Sequence, residues 1–193
     1  MLLIAVAASY LIGSIPFGFI ISKAKGIDIR KHGSGNIGAT NVWRTLGPAY
    51  GMLALILDAL KGIAGVYLGK QTGIEGFELI TGIIALIGHA FPVYLGFKGG
   101  KIIATGLGVL IALAPPVALV AVLVFVVVVL FSRYVSLGSI CAAFSVPVSM
   151  VLFQQNRYYL LFGTTVCLFA VLKHIPNIKR LFAGTETKIQ LKK

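Results

Sequence analysis

The chain is predicted to be an all-α integral membrane protein, a bundle of about seven transmembrane helices, on three observations. First, 58% of its 193 residues are hydrophobic and only 11% charged, with a mean hydropathy of +0.98, whereas a soluble domain carries about 25% charged residues. Second, long apolar runs recur along the whole length, separated by short polar stretches. Third, the basic residues that make the formal charge +12 stand at the ends of those runs. In a soluble protein such a charge would suggest nucleic acid; here it reads as a topology signal.

At this length the chain is expected to form a single polytopic membrane domain, residues 1–193. Residues 1–22 carry no positive charge ahead of the apolar run, and Lys23 and Lys25 follow it, so they read as a retained first span and not a cleaved signal. That span is interrupted by G-S-I-P at residues 13–16, where a kink or polar notch is expected. The second span, residues 48–68, holds Asp58 and Lys61, three apart and so on one helical face, where they are expected to pair. Span three covers residues 77–95, and a tight G-F-K-G-G-K turn follows. Span four, residues 102–114, is short, and Pro115 and Pro116 are read as closing it. Span five, 117–131, is nearly all Val, Leu and Ala and reads as a lipid-facing helix. Spans six and seven cover 135–153 and 158–172. Several fall short of the ~20 residues a straight crossing needs, so tilted or re-entrant elements are expected.

Charge selects the orientation. With the N-terminus outside, fourteen of the 17 Lys and Arg fall on the inner side, including Lys192 and Lys193, while Lys70 and Arg157 lie outside and Lys61 lies within span two. The C-terminus is therefore expected in the cytoplasm, together with the polar motifs.

Three polar segments interrupt the hydrocarbon. Residues 32–47 read H-G-S-G-N-I-G-A-T-N-V-W-R-T-L-G, a concentration of glycines, hydroxyls and amides with Arg44 as a planar fork suited to phosphate. Residues 88–105 contain K-G-G-K, where Gly99 and Gly100 can offer backbone N–H groups beside Lys98 or Lys101. Residues 173–186 read K-H-I-P-N-I-K-R-L-F-A-G-T-E, with His174 and Asn177 on one face if the segment is helical and His174 the best base by residue type. His89, ahead of Phe91 and Pro92, is expected to be structural. Acids are scarce: apart from Glu75 and Glu78 near the outer face there are Asp28, Asp58 and Glu186. Many donors and few acids suit polyanions, with phosphate esters the natural choice.

Other chemistries are disfavoured by absence. The chain has no H-E-x-x-H, no G-x-S-x-G, no P-loop, and no histidine followed five residues later by aspartate, since Ile37, Tyr94 and Lys179 stand there. Cys141 and Cys167 lie in apolar runs with no ligand cluster, so neither a metal nor a disulfide is suggested, and no cofactor is expected.

Together the three polar segments, with G-S-I-P-F-G in span one and D-A-L-K-G in span two, resemble the bacterial acyl-phosphate:glycerol-3-phosphate acyltransferases over essentially the whole chain. The resemblance implies a seven-helix inner-membrane enzyme that moves a fatty acyl group from acyl phosphate to glycerol 3-phosphate, giving lysophosphatidic acid and phosphate in the first acylation of phospholipid synthesis. The family's first motif falls on Ser34, Gly35, Asn36, Thr40, Asn41 and Arg44, its second on Gly99, Gly100 and Lys101, and its third on His174, Asn177, Gly184 and Glu186. Of these, Ser34, Arg44, Lys101, His174 and Asn177 are the expected catalytic residues. Gly35, Asn36, Thr40, Asn41, Gly99, Gly100 and Ser139 are expected to bind substrate, and Asp58, Lys61 and Glu186 to give structural support. The family usually continues its lysine with a glycine, where this chain has Ile102; the added side chain is expected to reshape the loop or narrow the approach to it. A phosphate-ester transporter is the alternative, since bundles with broken helices and central donors also describe permeases.

Overall fold

A computed structural model describes residues 1–189, so the topology signals Lys192 and Lys193 lie outside the described residues. Every regular element among these residues is helical, and the chain divides into two compact units, Met1–Leu113 and the remainder from Ala114.

The first unit begins with α1, Leu2–Ser14, and α2, Phe17–Ala24, which together make one apolar run long enough to cross a membrane. The break between them falls at Ile15 and Pro16, where the expected interruption lies. A 3-10 turn at Ile29–Lys31 precedes α3, Ala39–Leu46. Gly47, at φ 95, turns the chain straight into α4, Pro48–Lys70, with Pro48 at a helix-start position that needs no N–H donor. Then come α5, Phe77–Ala90, a 3-10 turn at Val93–Leu95, and α6, Ile103–Leu113. Eleven residues at about 1.5 Å each reach roughly half the ~30 Å hydrocarbon thickness, so α6 is short as expected.

Glycine brings these helices close. A methyl at Gly13 of α1 would strike the backbone of Ala85 in α5, and one at Gly88 of α5 would strike the backbone of Tyr10, Gly13 and Ser14. Likewise Gly62 of α4 lies on the Thr105 and Val109 backbone of α6, and Gly108 of α6 on Ala59. Close backbone approach at small residues is how helices pack where lipid gives no hydrophobic gain between them.

The second unit holds α7, Pro115–Ser132, α8, Val135–Leu152, α9, Arg157–Lys173, and α10, Ile175–Phe182. Helices α7 and α8 pair through Gly138, which faces Val129 and Phe125, and α8 meets α9 where Gly163 faces Met150 and Val146. Pro115 and Pro116 do not close the preceding span: they occupy the first turn of α7, where missing N–H groups cost nothing, and Ala114 is the break. Between α9 and α10 the chain bends by 58° at His174. Five apolar segments are long enough to span a membrane, six if the bent pair counts as one, beside the shorter α6.

Candidate functional site

The first polar segment folds around one side chain. Asn41, in the first turn of α3, is only 2% exposed. Its Nδ2 donates to the carbonyls of Ile29 (3.2 Å), His32 (2.9 Å) and Asn36 (2.8 Å), and its Oδ1 accepts from the Ser34 N–H at 2.9 Å. Every hydrogen-bonding direction of the amide is thus committed to the loop's own backbone. Asn41 shapes the segment; it was expected among the substrate ligands, but its polar atoms face inward. Gly33, at φ 57, lies so close to Asn41 that a β-carbon would collide with its Oδ1. Asn36 Oδ1 accepts from Gly38 N–H at 2.8 Å, closing a side-chain turn just ahead of α3. The result is a loop that presents Ser34 and Gly35 at the surface. Thr40 and Arg44, four apart, lie on one face of α3 and are partly exposed.

Beneath the loop lies an apolar cluster of Ile29, Ile37, Val42 and Ala54, with Phe19, Tyr50 and Leu95 against it. Leu95, in the 3-10 turn ahead of the second motif, packs on the same cluster. Each large aliphatic side chain in it contributes about 1.5–3 kcal/mol of burial. Gly18 of α2 seats directly on the Ile37 carbonyl, which fixes α2 to the loop. Tyr10 Oη donates to the Phe91 carbonyl at 2.8 Å, tying α1 to the start of the second motif.

Asp28 borders the site without entering it. Its carboxylate takes Arg30 Nε at 2.9 Å and Nη2 at 2.8 Å, and Arg30 lies over the Phe19 ring. The Arg30 hydrogen bonds and charge hold the Asp28 carboxyl far below the usual carboxylate range.

The second segment rests on His89. Gly100 N–H donates to the His89 carbonyl at 3.0 Å, and a β-carbon at Gly100 would collide with the Nε2 end of the His89 imidazole. Gly99 is similarly confined by the His89 carbonyl and the Pro92 ring. The two glycines are therefore required by close approach to this histidine, and Gly100 has its N–H engaged within the protein. Ile102 adopts φ 63, the left-handed conformation a glycine would favour, and is 1% exposed. Its side chain is thus buried and the backbone keeps a glycine-like path, at a cost of about 1–2 kcal/mol for an L-residue there. The expected narrowing of the approach does not occur through an exposed side chain.

Asp58 and Lys61 pair within α4 at 2.8 Å, both almost fully buried, as their spacing predicted. Lys61 Nζ also donates to the Ile15 carbonyl at 2.8 Å, satisfying an oxygen released by the α1–α2 break, and lies 5.9 Å from the Phe17 ring centroid.

In the second unit the organising group is Glu186, 9% exposed. Its Oε1 accepts from Ser136 Oγ and Asn177 Nδ2, each at 2.8 Å, and its Oε2 accepts from Arg180 Nε at 2.7 Å. Burial would raise its pKa, but the donors Asn177, Arg180 and Ser136 and the charge of Arg180 more than offset this, so the carboxyl titrates below its ordinary value. Ile189 N–H donates to the Arg133 carbonyl at 2.9 Å, so residues 183–189 form a strap held at the start of α8 and along α10. His174 Nδ1 lies 2.8 Å from the Ala170 carbonyl. A nitrogen facing a carbonyl carries the proton, so the neutral ring has Nε2 as its acceptor nitrogen. Ser139 Oγ donates back to the Val135 carbonyl of its own helix at 2.9 Å.

The structure therefore gathers Ser34, Gly35, Asn36, Thr40, Asn41 and Arg44 in one loop-and-helix segment of the first unit, seats the Gly99–Gly100 turn on His89 in the same unit, and brings Asn177 and Glu186 together in the second, where His174 immediately precedes α10. Among the described residues no three His, Cys, Asp or Glu side chains are grouped to hold a metal ion.

A family model described as glycerol-3-phosphate acyltransferase matches residues 3–184. A glycerol-3-phosphate acyltransferase of Desulforamulus reducens is 56% identical over 97% of this chain and 95% of its own length; one of Desulforudis audaxviator is 53% identical over 99% and 97%. The fold matches crystal structures of PlsY (YgiH), an integral membrane glycerol 3-phosphate acyltransferase. The glycerol 3-phosphate form has a TM-score of 0.93 at 42% identity, covering 98% of this chain and 96% of that one. The lysophosphatidic acid form has a TM-score of 0.91 at 41% identity, covering 98% and 95%. With all three motifs in place on an all-helical membrane fold, the chain belongs to the glycerol-3-phosphate acyltransferase family.

Proposed function

We propose that this chain transfers a fatty acyl group from acyl phosphate to the C1 hydroxyl of sn-glycerol 3-phosphate, releasing 1-acyl-glycerol 3-phosphate and inorganic phosphate, in the first acylation of phospholipid synthesis. The work is done at the cytoplasmic side of a bacterial inner membrane that the chain crosses about seven times, N-terminus outside. The observation that carries this reading is the likeness, at 42% identity over 98% of the chain, to an acyltransferase solved with glycerol 3-phosphate. The product form of the same neighbour supports lysophosphatidic acid as what leaves.

An acyl phosphate is a mixed anhydride, so direct attack suffices. The C1 oxygen adds to the acyl carbon, the carbon–oxygen bond to phosphate breaks, and the phosphate departs with the electron pair. The protein must hold two phosphate-bearing substrates close against their repulsion and exclude water. Arg44 and Lys101 grip glycerol 3-phosphate; Ser34, Gly35, Asn36 and the Gly99–Gly100 turn hold the acyl phosphate, with Thr40 beside them. His174 and Asn177 serve the acceptor, Ser139 is an auxiliary substrate contact, and the apolar helices take the acyl tail.

The hydroxyl proton goes to a phosphate oxygen of the donor. This is supported by the state of the acids: Asp28 is bound to Arg30, Asp58 to Lys61, and Glu186 to Ser136, Asn177 and Arg180. Each of these carboxylates already serves a partner, and a departing phosphate is itself a sufficient base.

Purified protein given acyl phosphate and glycerol 3-phosphate should release inorganic phosphate and lysophosphatidic acid with no membrane potential. Uptake of labelled substrate into vesicles without phosphate release would overturn this reading in favour of a transporter. Within the mechanism, turnover within about three-fold of wild type in Ser34→Ala or His174→Gln would remove that residue from the assignment.

A further inference from the structure

We propose that His89 is a positioning residue for acyl transfer, holding the Gly99–Lys101 turn in its working conformation, with Asp58 and Lys61 as the buried brace behind it. This rests on the assignment of that turn to substrate above.

His89 is the last polar side chain of α5 and is 4% exposed. It engages the turn twice. Its carbonyl takes the Gly100 N–H at 3.0 Å, and its imidazole packs against the Gly100 α-carbon so tightly that only hydrogen fits. The same carbonyl abuts Gly99. A turn of two glycines has more backbone freedom than any other pair, and here His89 removes it. Downstream, the buried left-handed Ile102 holds the other end, and its carbonyl accepts from Gly106 N–H in the first turn of α6. Lys101 is thus placed between two fixed points.

Behind the ring of His89 lies the buried Asp58 carboxylate. The imidazole Nδ1 lies 3.7 Å from Asp58 Oδ1, which in turn takes Lys61 Nζ at 2.8 Å. Lys61 continues to the Ile15 carbonyl at the break that launches α2, and α2 carries Gly18 against the Ile37 carbonyl of the first motif. The buried Lys61–Asp58 pair therefore reaches the Ile15 carbonyl ahead of α2 on one side and faces the His89 ring on the other, at a distance longer than a hydrogen bond. A Lys–Asp pair buried in an apolar bundle is costly and replaceable by packed hydrocarbon as far as stability goes. Setting the relative place of two anion-holding segments gives it a use that stability does not.

The test is a double-mutant cycle on the full-length protein in detergent, read by phosphate release from acyl phosphate and glycerol 3-phosphate, with melting temperature measured alongside. Gly100→Ala drives a methyl into the imidazole and should lower kcat/KM about 100-fold; His89→Ala should lower it about ten-fold, mainly through KM for the substrate held by the turn. Combined, the two should be no worse than Gly100→Ala alone and nearer to His89→Ala, because the methyl then enters the space the ring has left. His89→Asn, which keeps a polar side chain toward Asp58, should retain more activity than His89→Ala, in which only the backbone carbonyl remains to hold Gly100. Multiplicative losses in the double variant, or a His89→Ala defect confined to melting temperature with KM unchanged, would overturn the proposal. Absence of turnover in the wild-type protein would instead reject the reading of function on which it rests.

Discussion

The two units each organise a polar segment around one buried polar side chain, but with opposite chemistry. Asn41 is neutral and binds mostly backbone: three carbonyls and one N–H converge on a single amide. Glu186 is an anion and binds only side chains, drawing Ser136, Asn177 and Arg180 onto one carboxylate. An amide hub fixes the path of a glycine-rich loop, which has no side chains of its own to do so, and it does not respond to pH. A carboxylate hub fixes the orientation of polar side chains and weakens when it is protonated. A loop built to expose backbone needs a neutral donor–acceptor at its centre, while a strap that aims side chains can use charge.

Asn41→Asp should separate the two hubs most sharply. It keeps the acceptor for Ser34 N–H but places a carboxylate against three carbonyl oxygens, so a loss of at least about 3 kcal/mol is expected, with activity reduced to background. Denaturation in detergent and phosphate release check this. Glu186→Gln keeps the shape of the other hub but loses the charge; hydrogen bonds to a charged group contribute about 1.5–3 kcal/mol, so a loss of about 2 kcal/mol should accompany a fall in activity. The same hub predicts a pH effect of defined sign. Because the folded Glu186 titrates below its ordinary value of 4.5, its contribution is complete above that value and fades as pH falls further. The strap should therefore open to hydrogen exchange in acid while the Asn41 loop keeps its protection.

Smaller effects sharpen the contrast between packing and conformation in the second motif. At Ile102, alanine should be worse than glycine: Ile102→Ala loses the buried side chain and keeps the left-handed strain, whereas Ile102→Gly loses the side chain and relieves about 1–2 kcal/mol of strain. Melting temperatures of the pair should fall in that order, the reverse of what a helix or ordinary core position gives. Smallest of all, Asp28→Asn removes an exposed pair with Arg30 and should leave the melting temperature unchanged.

Much of the fold was legible because hydrophobic runs and their basic flanks report membrane spans directly. The 48–68 and 77–95 spans and the interruption at residues 13–16 fall where the sequence places them. Pro115 and Pro116 were misread because proline both ends and begins helices, and only the following backbone decides which. The polar segments themselves were legible by their donors. What was hidden was where those donors point. Asn41 and Gly100 face the chain's own carbonyls, and a backbone carbonyl leaves no letter in a sequence. His89 was hidden for the same reason: nothing in its spacing marks the glycines that fold back onto it ten and eleven residues later. Ile102 was visible as a departure from the family's pattern, yet its outcome depended on a backbone angle.

The proposed acyl transfer is direct, from acyl phosphate to glycerol 3-phosphate, without an acyl-protein intermediate. Mixing stoichiometric labelled acyl phosphate with the purified protein, first without and then with glycerol 3-phosphate, tests it most directly. The prediction is no burst of phosphate and no labelled protein until the acceptor is added, then equal amounts of phosphate and lysophosphatidic acid. A burst of one phosphate per protein with label retained on Ser34 or Ser139 would contradict it.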